Sequence, residues 1–142
     1  MTTPLPVPPE ASSPFVLEHP AGVRVSRELS ERDLAAFGPP EPDARHLWEW
    51  YSLPPFRDET VTLSIGLGYK AGRLEVISLQ NVDPRFDGAK DGWEARERGR
   101  AESLRLWLTA KGLAPGRYSW GEISVVFDEK SGFGSAGVRF AL

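Results

Sequence analysis

Hydrophobic and small polar residues alternate without interruption between residues 60 and 69, in the sequence TVTLSIGLGY. Every second side chain is valine, leucine, isoleucine or tyrosine, while threonine, serine and glycine fill the positions between them. This repeat of two residues is typical of an antiparallel strand with one buried face. Residues 74–79 continue as a second strand after the tight connection 70–72, so the two segments predict a β-hairpin.

A helical repeat follows, after a loop at residues 81–92. From Trp93 to about Lys111, apolar side chains recur three or four positions apart, with Leu104 and Leu108 on one stripe. Acidic and basic side chains occupy the other faces, and pairs of opposite charge four residues apart favour a helix. We predict that this segment is the longest helix of the protein.

The last third of the chain returns to a repeat of two. Apolar side chains alternate on both sides of a charged turn at residues 128–132, namely at Ile123, Val125, Phe127, Val138, Phe140 and Leu142. This pattern predicts a second hairpin. Together the hairpins predict a four-stranded antiparallel sheet packed on one face of the long helix, which is an α+β fold.

A first short helix is predicted near residue 30. Ser30 is a suitable N-cap, because Asp33 stands at the reciprocal position of a capping box. Leu34 and Phe37 are three residues apart and share one face. Gly38 is suited to end this helix after about two turns.

A second short helix is predicted from about Asp43 to Tyr51. Pro42 suits its first turn, and Leu47 and Trp50 lie on the same apolar side as the final tyrosine. Trp48 lies at the edge of that side. Two prolines at positions 54 and 55 are expected to end the segment.

The chain before these helices is predicted to be extended. Residues 1–14 contain five prolines, which favours an extended, proline-rich tail. Residues 15–17 form a candidate edge strand, and residues 23–25 are placed to pair with it. We therefore predict one α+β domain over residues 15–142, with two short N-terminal helices before the hairpin, the long helix and the second hairpin.

Composition fits a single domain and excludes several classes of site. The chain has 142 residues, 40% of them hydrophobic, and no cysteine. A disulfide framework, a thiolate nucleophile and a cysteine-ligated metal site are therefore excluded. The N-terminus lacks the basic and apolar regions of a secretory signal, and no apolar run approaches the length of a membrane span. The expected location is the cytoplasm.

The charge balance argues against a dedicated nucleic-acid-binding protein. The net charge is −3 and the isoelectric point is near 5.4, whereas such proteins usually carry a basic face. Residues 1–55 hold 8 acidic and 4 basic side chains, so the negative charge is concentrated in the front part of the chain.

Motifs of cofactor and catalytic sites are weak in this sequence. Residues 132–137 match the glycine spacing of a dinucleotide-binding loop, but that loop must precede a helix, and the five residues that follow predict a strand. We assign these glycines to the hairpin and predict no cofactor and no catalytic residues. His19 and His46 are expected to be structural or exposed. The protein is therefore predicted not to be an enzyme.

Three aspartates recur every four residues in the loop before the long helix, at Asp83, Asp87 and Asp91. This spacing does not match a calcium loop, which needs oxygen ligands at alternate positions. Three interpretations remain: turns followed by a helix cap, a looser cation site, or an acidic surface for a basic partner. No metal site is predicted, although the loop's capacity for a cation stays open.

Five tryptophans are numerous for this length. Trp50 and Trp107 are predicted to lie in the core. Trp48 and Trp93 lie at the edges of predicted elements, where exposed aromatic side chains serve as interface anchors. Partial burial in the core is the other interpretation of these two.

Two segments resemble bacterial immunity proteins. Residues 29–37 and 42–51 resemble the opening helices of the Smi1/Knr4-like immunity superfamily. Residues 118–132, YSWGEISVVFDEKSG, are similar to the Trp-Gly … Asp-x-Lys-x-Gly hairpin of small immunity proteins from polymorphic toxin systems. The resemblance implies a cytoplasmic inhibitor that binds a cognate toxin domain, such as a nuclease, a deaminase or an NAD-consuming enzyme, and occludes its active site.

Two alternatives to this function stay open. One is a non-enzymatic structural or assembly module of a phage-tail-like or secretion apparatus, and the other is a small-ligand-binding domain or minor enzyme. For the immunity function, the residues expected to contact the partner are Asp83, Asp87, Asp91, Trp93 and Glu94, with Trp48 and Glu49 as a second surface.

Overall fold

The computed structural model describes residues 14–43, 47–86, 92–128 and 133–141. These residues form mostly sheet, with one long α-helix. The strands are β1 Val16–His19, β2 Val23–Ser26, β3 Glu41–Asp43, β4 Trp48–Asp58, β5 Val61–Lys70, β6 Arg73–Asn81, β7 Gly116–Tyr118, β8 Gly121–Asp128 and β9 Phe133–Phe140. The α-helix, α1, spans Gly92–Ala110, and two 3₁₀ helices span Glu31–Phe37 and Pro84–Phe86.

Seven strands form one antiparallel sheet in the order β3-β4-β5-β6-β9-β8-β7, and β1 and β2 form a separate pair. One face of the large sheet packs against α1 at β6, β8 and β9. The β1–β2 pair and the first 3₁₀ helix cover more of that face. Phe15 packs on Phe140, and Tyr69 donates a 2.6 Å hydrogen bond to the Leu29 carbonyl. The hydrophobic core lies between this face and the layer that covers it.

The predicted fold class, a four-stranded sheet with two N-terminal helices, is wrong, because the large sheet has seven strands. In the segment assigned to the second helix, Asp43 instead ends β3 and residues 48–51 begin β4, with Pro42 paired opposite Glu49, while residues 44–46 lie outside the described residues. The aromatic residues of this segment favour strand. They also fit a repeat of two residues, since Tyr51 and Leu53 are buried and Ser52 between them is exposed.

The two prolines at positions 54 and 55 do not end this element, contrary to the prediction. β4 continues to Asp58, and its pairing with β5 shifts register between Leu53 and Phe56. Proline has no backbone N–H to donate to a ladder, and a bulge removes that requirement. The shift therefore lets one long strand pass through two prolines.

The two predicted hairpins and the long helix are confirmed. β5 pairs with β6 and β8 pairs with β9, and an additional β6–β9 pairing joins the two hairpins. The apolar stripe of α1 is buried, with Leu104 and Leu108 fully so. The first short helix is present as a 3₁₀ helix, and Asp33 accepts hydrogen bonds from the backbone N–H (3.3 Å) and hydroxyl (2.9 Å) of Ser30.

From residue 133 onward the glycine motif at 132–137 lies in β9, so its described glycines belong to the β8–β9 hairpin, to which the sequence analysis assigned them. Gly134 is required there by the close approach of α1, because a Cβ at this position would lie 1.9 Å from the Glu97 carbonyl oxygen. Gly132 lies outside the described residues. Within the described ranges, no helix is both long enough and apolar enough to cross a membrane.

Candidate protein-binding surface

The face of the large sheet that points away from α1 has no covering element among the residues that the structure describes, and we call it the open face. Small side chains lie in register across five neighbouring strands at its centre, at Ser52, Gly66, Ser78, Gly137 and Ser124. Val126, on the same face, is 48% exposed. A row of small side chains therefore crosses the middle of the open face.

Two tryptophans stand at one corner of the open face. The Trp50 ring lies flat on Gly68, where a Cβ would come within 2.8 Å of it. Trp48 stacks beside Trp50, with ring centroids 5.8 Å apart and planes 23° apart. The ammonium of Lys70 lies 5.7 Å from the Trp48 ring. We call Trp48, Trp50 and Lys70 the aromatic corner; both tryptophans are half-buried.

Trp48 and Glu49, the second predicted surface, point to opposite faces of the sheet because they are neighbours on one strand. Glu49 lies on the core side of β4 but is exposed at its rim, where it is within hydrogen-bond reach of Glu31. The Tyr51 hydroxyl also donates to a Glu31 carboxylate oxygen, at 3.1 Å. The two predicted residues therefore lie on either side of the same sheet edge.

Three glutamates, Glu31, Glu41 and Glu49, define the acidic edge of the sheet at β3 and β4. Among the described side chains, none of the lysines, arginines and histidines forms an ion pair with them. The hydrogen bond and the negative charge of Glu31 raise the pKa of the Glu49 carboxyl. The acidic edge thus carries negative charge that the described part of the protein does not neutralise.

Asp83 has the opposite surroundings. It is 6% exposed, and it accepts hydrogen bonds from the Arg57 guanidinium (2.6 Å) and the Arg85 backbone N–H (3.0 Å). These contacts, led by the Arg85 N–H, lower the pKa of Asp83. We call Arg57, Asn81, Asp83 and Arg85 the arginine–aspartate cluster. Its carboxylate already has cationic partners within the chain.

Asn81 anchors this cluster from a fully buried position. Its side-chain oxygen accepts hydrogen bonds from the backbone N–H groups of Thr62 and Asp83, both at 3.1 Å. Its side-chain nitrogen donates to the Ser103 hydroxyl of α1 at 2.9 Å. The cluster therefore connects β5, β6 and α1, and its geometry fits the interpretation of Asp83 as part of a turn.

The rest of the first predicted surface is described only in part. Asp87 and Asp91 lie outside the described residues, and so does the side chain of Trp93, whose backbone is in the first turn of α1. Glu94 is exposed and forms an ion pair with Arg98 at 3.1 Å. The structure does not bring Asp83 and Glu94 together with Trp48 and Glu49.

The two histidines and one surface cleft are the remaining candidates for a site. His19 is 6% exposed, and its Nε2 lies 2.7 Å from the Pro54 carbonyl oxygen. His46 lies outside the described residues. A cleft of about 250 Å³ lies beside the β5–β6 turn, lined by charged side chains such as Arg27 and Arg73 together with Phe140. Its mixed charge differs from the deep apolar pocket expected of a small-ligand site.

The sequence predicted that Trp50 lies in the core, but the structure places it at the aromatic corner. Trp107 is 2% exposed, as predicted. One signal in the sequence does point to the open face. The alternation in β5 puts Gly66 and Gly68 on the face opposite its apolar residues, and such glycines leave room for a ring or a partner.

Comparisons of the chain with protein families, with curated proteins and with solved structures find no match.

Proposed function

We propose that the protein is an immunity protein that binds a cognate toxin domain through the open face and occludes the toxin's active site. It acts by binding rather than by catalysis, and its site of action is the cytoplasm. The observation that carries the proposal is the aromatic corner, which places two half-buried tryptophans on a sheet face without a covering element in the described structure.

The aromatic corner has the properties of an interface anchor. Tryptophan is enriched among the residues that dominate binding free energy, because a large apolar ring is removed from water on association. Trp50 is held flat by Gly68 beneath it and by Trp48 beside it. A side chain already fixed in one position loses little conformational entropy on binding, which favours affinity.

The resemblance to immunity proteins supports the toxin as the partner. Its hairpin includes Trp120 and Gly121, and Gly121 has a local reason, since a Cβ there would lie 2.0 Å from the Arg139 carbonyl oxygen. Trp120 packs between Phe15 and Phe140. The second opening helix of the Smi1/Knr4-like superfamily has no counterpart among the described residues 41–43 and 48–58, which are strands. The choice of a toxin as the partner therefore depends on the hairpin resemblance, while the binding surface is argued from the aromatic corner.

Growth rescue tests the proposal. The protein is co-expressed with the product of the neighbouring reading frame, and we expect that product to stop growth alone and to be neutralised by the wild-type protein. The double variant Trp48→Ala/Trp50→Ala should weaken binding by about 3 kcal/mol, on the order of 100-fold in Kd. Leu106→Ala is the matched control, because Leu106 is an exposed apolar residue, 56% accessible, on α1.

Three results would contradict this function. These are a neighbouring product that is harmless alone, a wild-type protein that fails to rescue growth, and a tryptophan variant that binds as tightly as the Leu106→Ala control. Capture of a tail or secretion component without any growth rescue would favour the assembly module instead. Circular dichroism of both variants verifies that each remains folded.

A further inference from the structure

The acidic edge lies directly beside the aromatic corner. Glu41 is the cross-strand partner of Trp50, so the two side chains share the open face. Glu49 lies on the other side of the same strand, next to Glu31. A surface that covers the aromatic corner and reaches over the short strand β3 therefore meets carboxylates on both sides of the edge.

The charge of this edge is not paired within the described structure, in contrast to the carboxylates on α1. Glu94 and Glu102 each form an ion pair with an arginine of the same helix. Glu31 and Glu49 instead contact each other, and neither has a cationic partner among the described side chains. Like charges in contact are unfavourable, and an approaching cation relieves that repulsion.

Lys70 is the cation of the aromatic corner, but its ammonium lies over the Trp48 ring rather than beside a glutamate of the acidic edge. The aromatic corner thus offers apolar surface at its centre, and the neighbouring edge offers negative charge at its rim. A central aromatic anchor with a charged rim is the usual anatomy of a protein–protein interface.

We propose that the partner places a cationic surface over the acidic edge beside the aromatic corner, so that the occluded active site is one that binds a polyanion such as nucleic acid. This inference rests on the proposed function and narrows it. An enzyme that acts on a polyanion lines its active site with lysine and arginine, because these side chains neutralise phosphates. The carboxylates of the acidic edge then take the place of those phosphates in the inhibited complex.

Association kinetics with two matched charge variants test the inference. Glu41→Lys/Glu49→Lys reverses charge at the acidic edge. Glu94→Lys/Glu102→Lys reverses it on α1, where Glu94 belongs to the contact surface first predicted from the sequence, so the pair compares the two surfaces directly. Each variant moves the net charge from −3 to +1, because every exchange of glutamate for lysine adds two positive charges. All four residues are exposed. The binding partner is the catalytically inactive product of the neighbouring reading frame.

We expect the edge variant to associate about 100-fold more slowly at low salt, and the α1 variant to stay within about 3-fold of the wild type. The difference should shrink as salt rises, because exposed charges are screened over about 10 Å at 0.1 M ionic strength. A double-stranded DNA oligonucleotide, used as the polyanion probe, should compete with the wild-type protein for the partner.

The results that would contradict our expectation separate the cationic-partner inference from the proposed function. If the wild-type protein binds, both variants associate as fast as the wild type, and DNA does not compete, the cationic-partner inference is overturned and the proposed function stands. If only the α1 variant associates slowly, the contact surface lies on the helix side. If the wild-type protein neither binds nor rescues growth, the proposed function itself is overturned.

Discussion

Asp83 and Glu49 lie at opposite ends of the same sheet and have opposite electrostatic surroundings. Asp83 follows the end of β6, is almost fully buried, and is bound by Arg57 and by the Arg85 backbone. Glu49 is exposed near the start of β4, and its neighbour is the like-charged Glu31. A carboxylate that is bound by N–H groups and arginines of its own chain stabilises the fold, whereas an exposed carboxylate without such contacts is available to form ion pairs with another protein.

The largest expected effect on stability comes from breaking the arginine–aspartate cluster at its buried centre. Asn81→Ala removes the acceptor of two backbone N–H groups and the donor to Ser103, and it leaves buried polar groups unpaired. We expect a loss of about 3 kcal/mol in the free energy of unfolding, measured by urea denaturation. Ser78→Ala, on the open face, is the control and should stay within about 0.5 kcal/mol of the wild type. A loss below about 1 kcal/mol for Asn81→Ala would contradict the structural role of the cluster.

A matched pair of glycine variants tests how the aromatic corner is built. Gly68→Ala pushes a Cβ to 2.8 Å from the Trp50 ring, while the nearest atom to a Cβ at Gly66 is 3.6 Å away. We expect Gly68→Ala to lose about 1 kcal/mol of stability and to shift the tryptophan fluorescence, because the ring must lift from the sheet. Gly66→Ala should gain about 0.5 kcal/mol, since glycine weakens a strand interior. Equal stability of the two variants would mean that Trp50 does not lie on Gly68.

The smallest effect is on the pH dependence of stability, and it has opposite signs at the two carboxylates. The lowered pKa of Asp83 means that its stabilisation is present above its ordinary value of 3.8 and is lost as pH falls through the lowered value. The raised pKa of Glu49 means that its penalty is absent below 4.5 and complete above the raised value.

Two amide variants separate these signs. Asp83→Asn should therefore destabilise the protein at neutral pH, and Glu49→Gln should slightly stabilise it there, because the amide removes the repulsion with Glu31. Both differences should fade in acid, and urea unfolding across the pH range measures them. Stabilisation by Asp83→Asn, or destabilisation by Glu49→Gln, at neutral pH would contradict the opposite electrostatic surroundings that we assign to these two carboxylates.

The sequence predicted the parts of the fold where one repeat dominates. The alternation of residues 60–69 and the helical stripe of α1 each admit a single interpretation, and both are confirmed. Residues 43–51 admit two, because Leu47, Trp50 and Tyr51 fit a helical side while the order Trp-Glu-Trp-Tyr-Ser-Leu also fits a strand. The available edge of β5 decides between them, and that tertiary pairing is not visible in local sequence.

The candidate site shows the same limit. The spacing of the three aspartates made an acidic surface one interpretation of the loop that begins at Asp83. In the structure the Asp83 side chain is buried and forms ion pairs with Arg57 and Arg85, contacts that the aspartate spacing does not predict.

At the aromatic corner, Trp50 lies over Gly68. These two residues are eighteen positions apart in the chain, and the β4–β5 register brings them together. The sequence predicts Trp48 and Glu49 as one contact surface, but only the strand shows that their side chains point to opposite faces of the sheet.

Hydroxyl-radical footprinting of the complex with the inactive toxin domain tests the central claim most directly, because one measurement reports on both regions. We expect Trp48 and Trp50 to be oxidised in the free protein and protected in the complex, while the exposed residues of α1, including Leu106, are oxidised equally in both states. The buried Trp107 serves as an internal reference for folding. Protection of α1 with unchanged oxidation of Trp48 and Trp50 would contradict the claim that the open face is the binding surface.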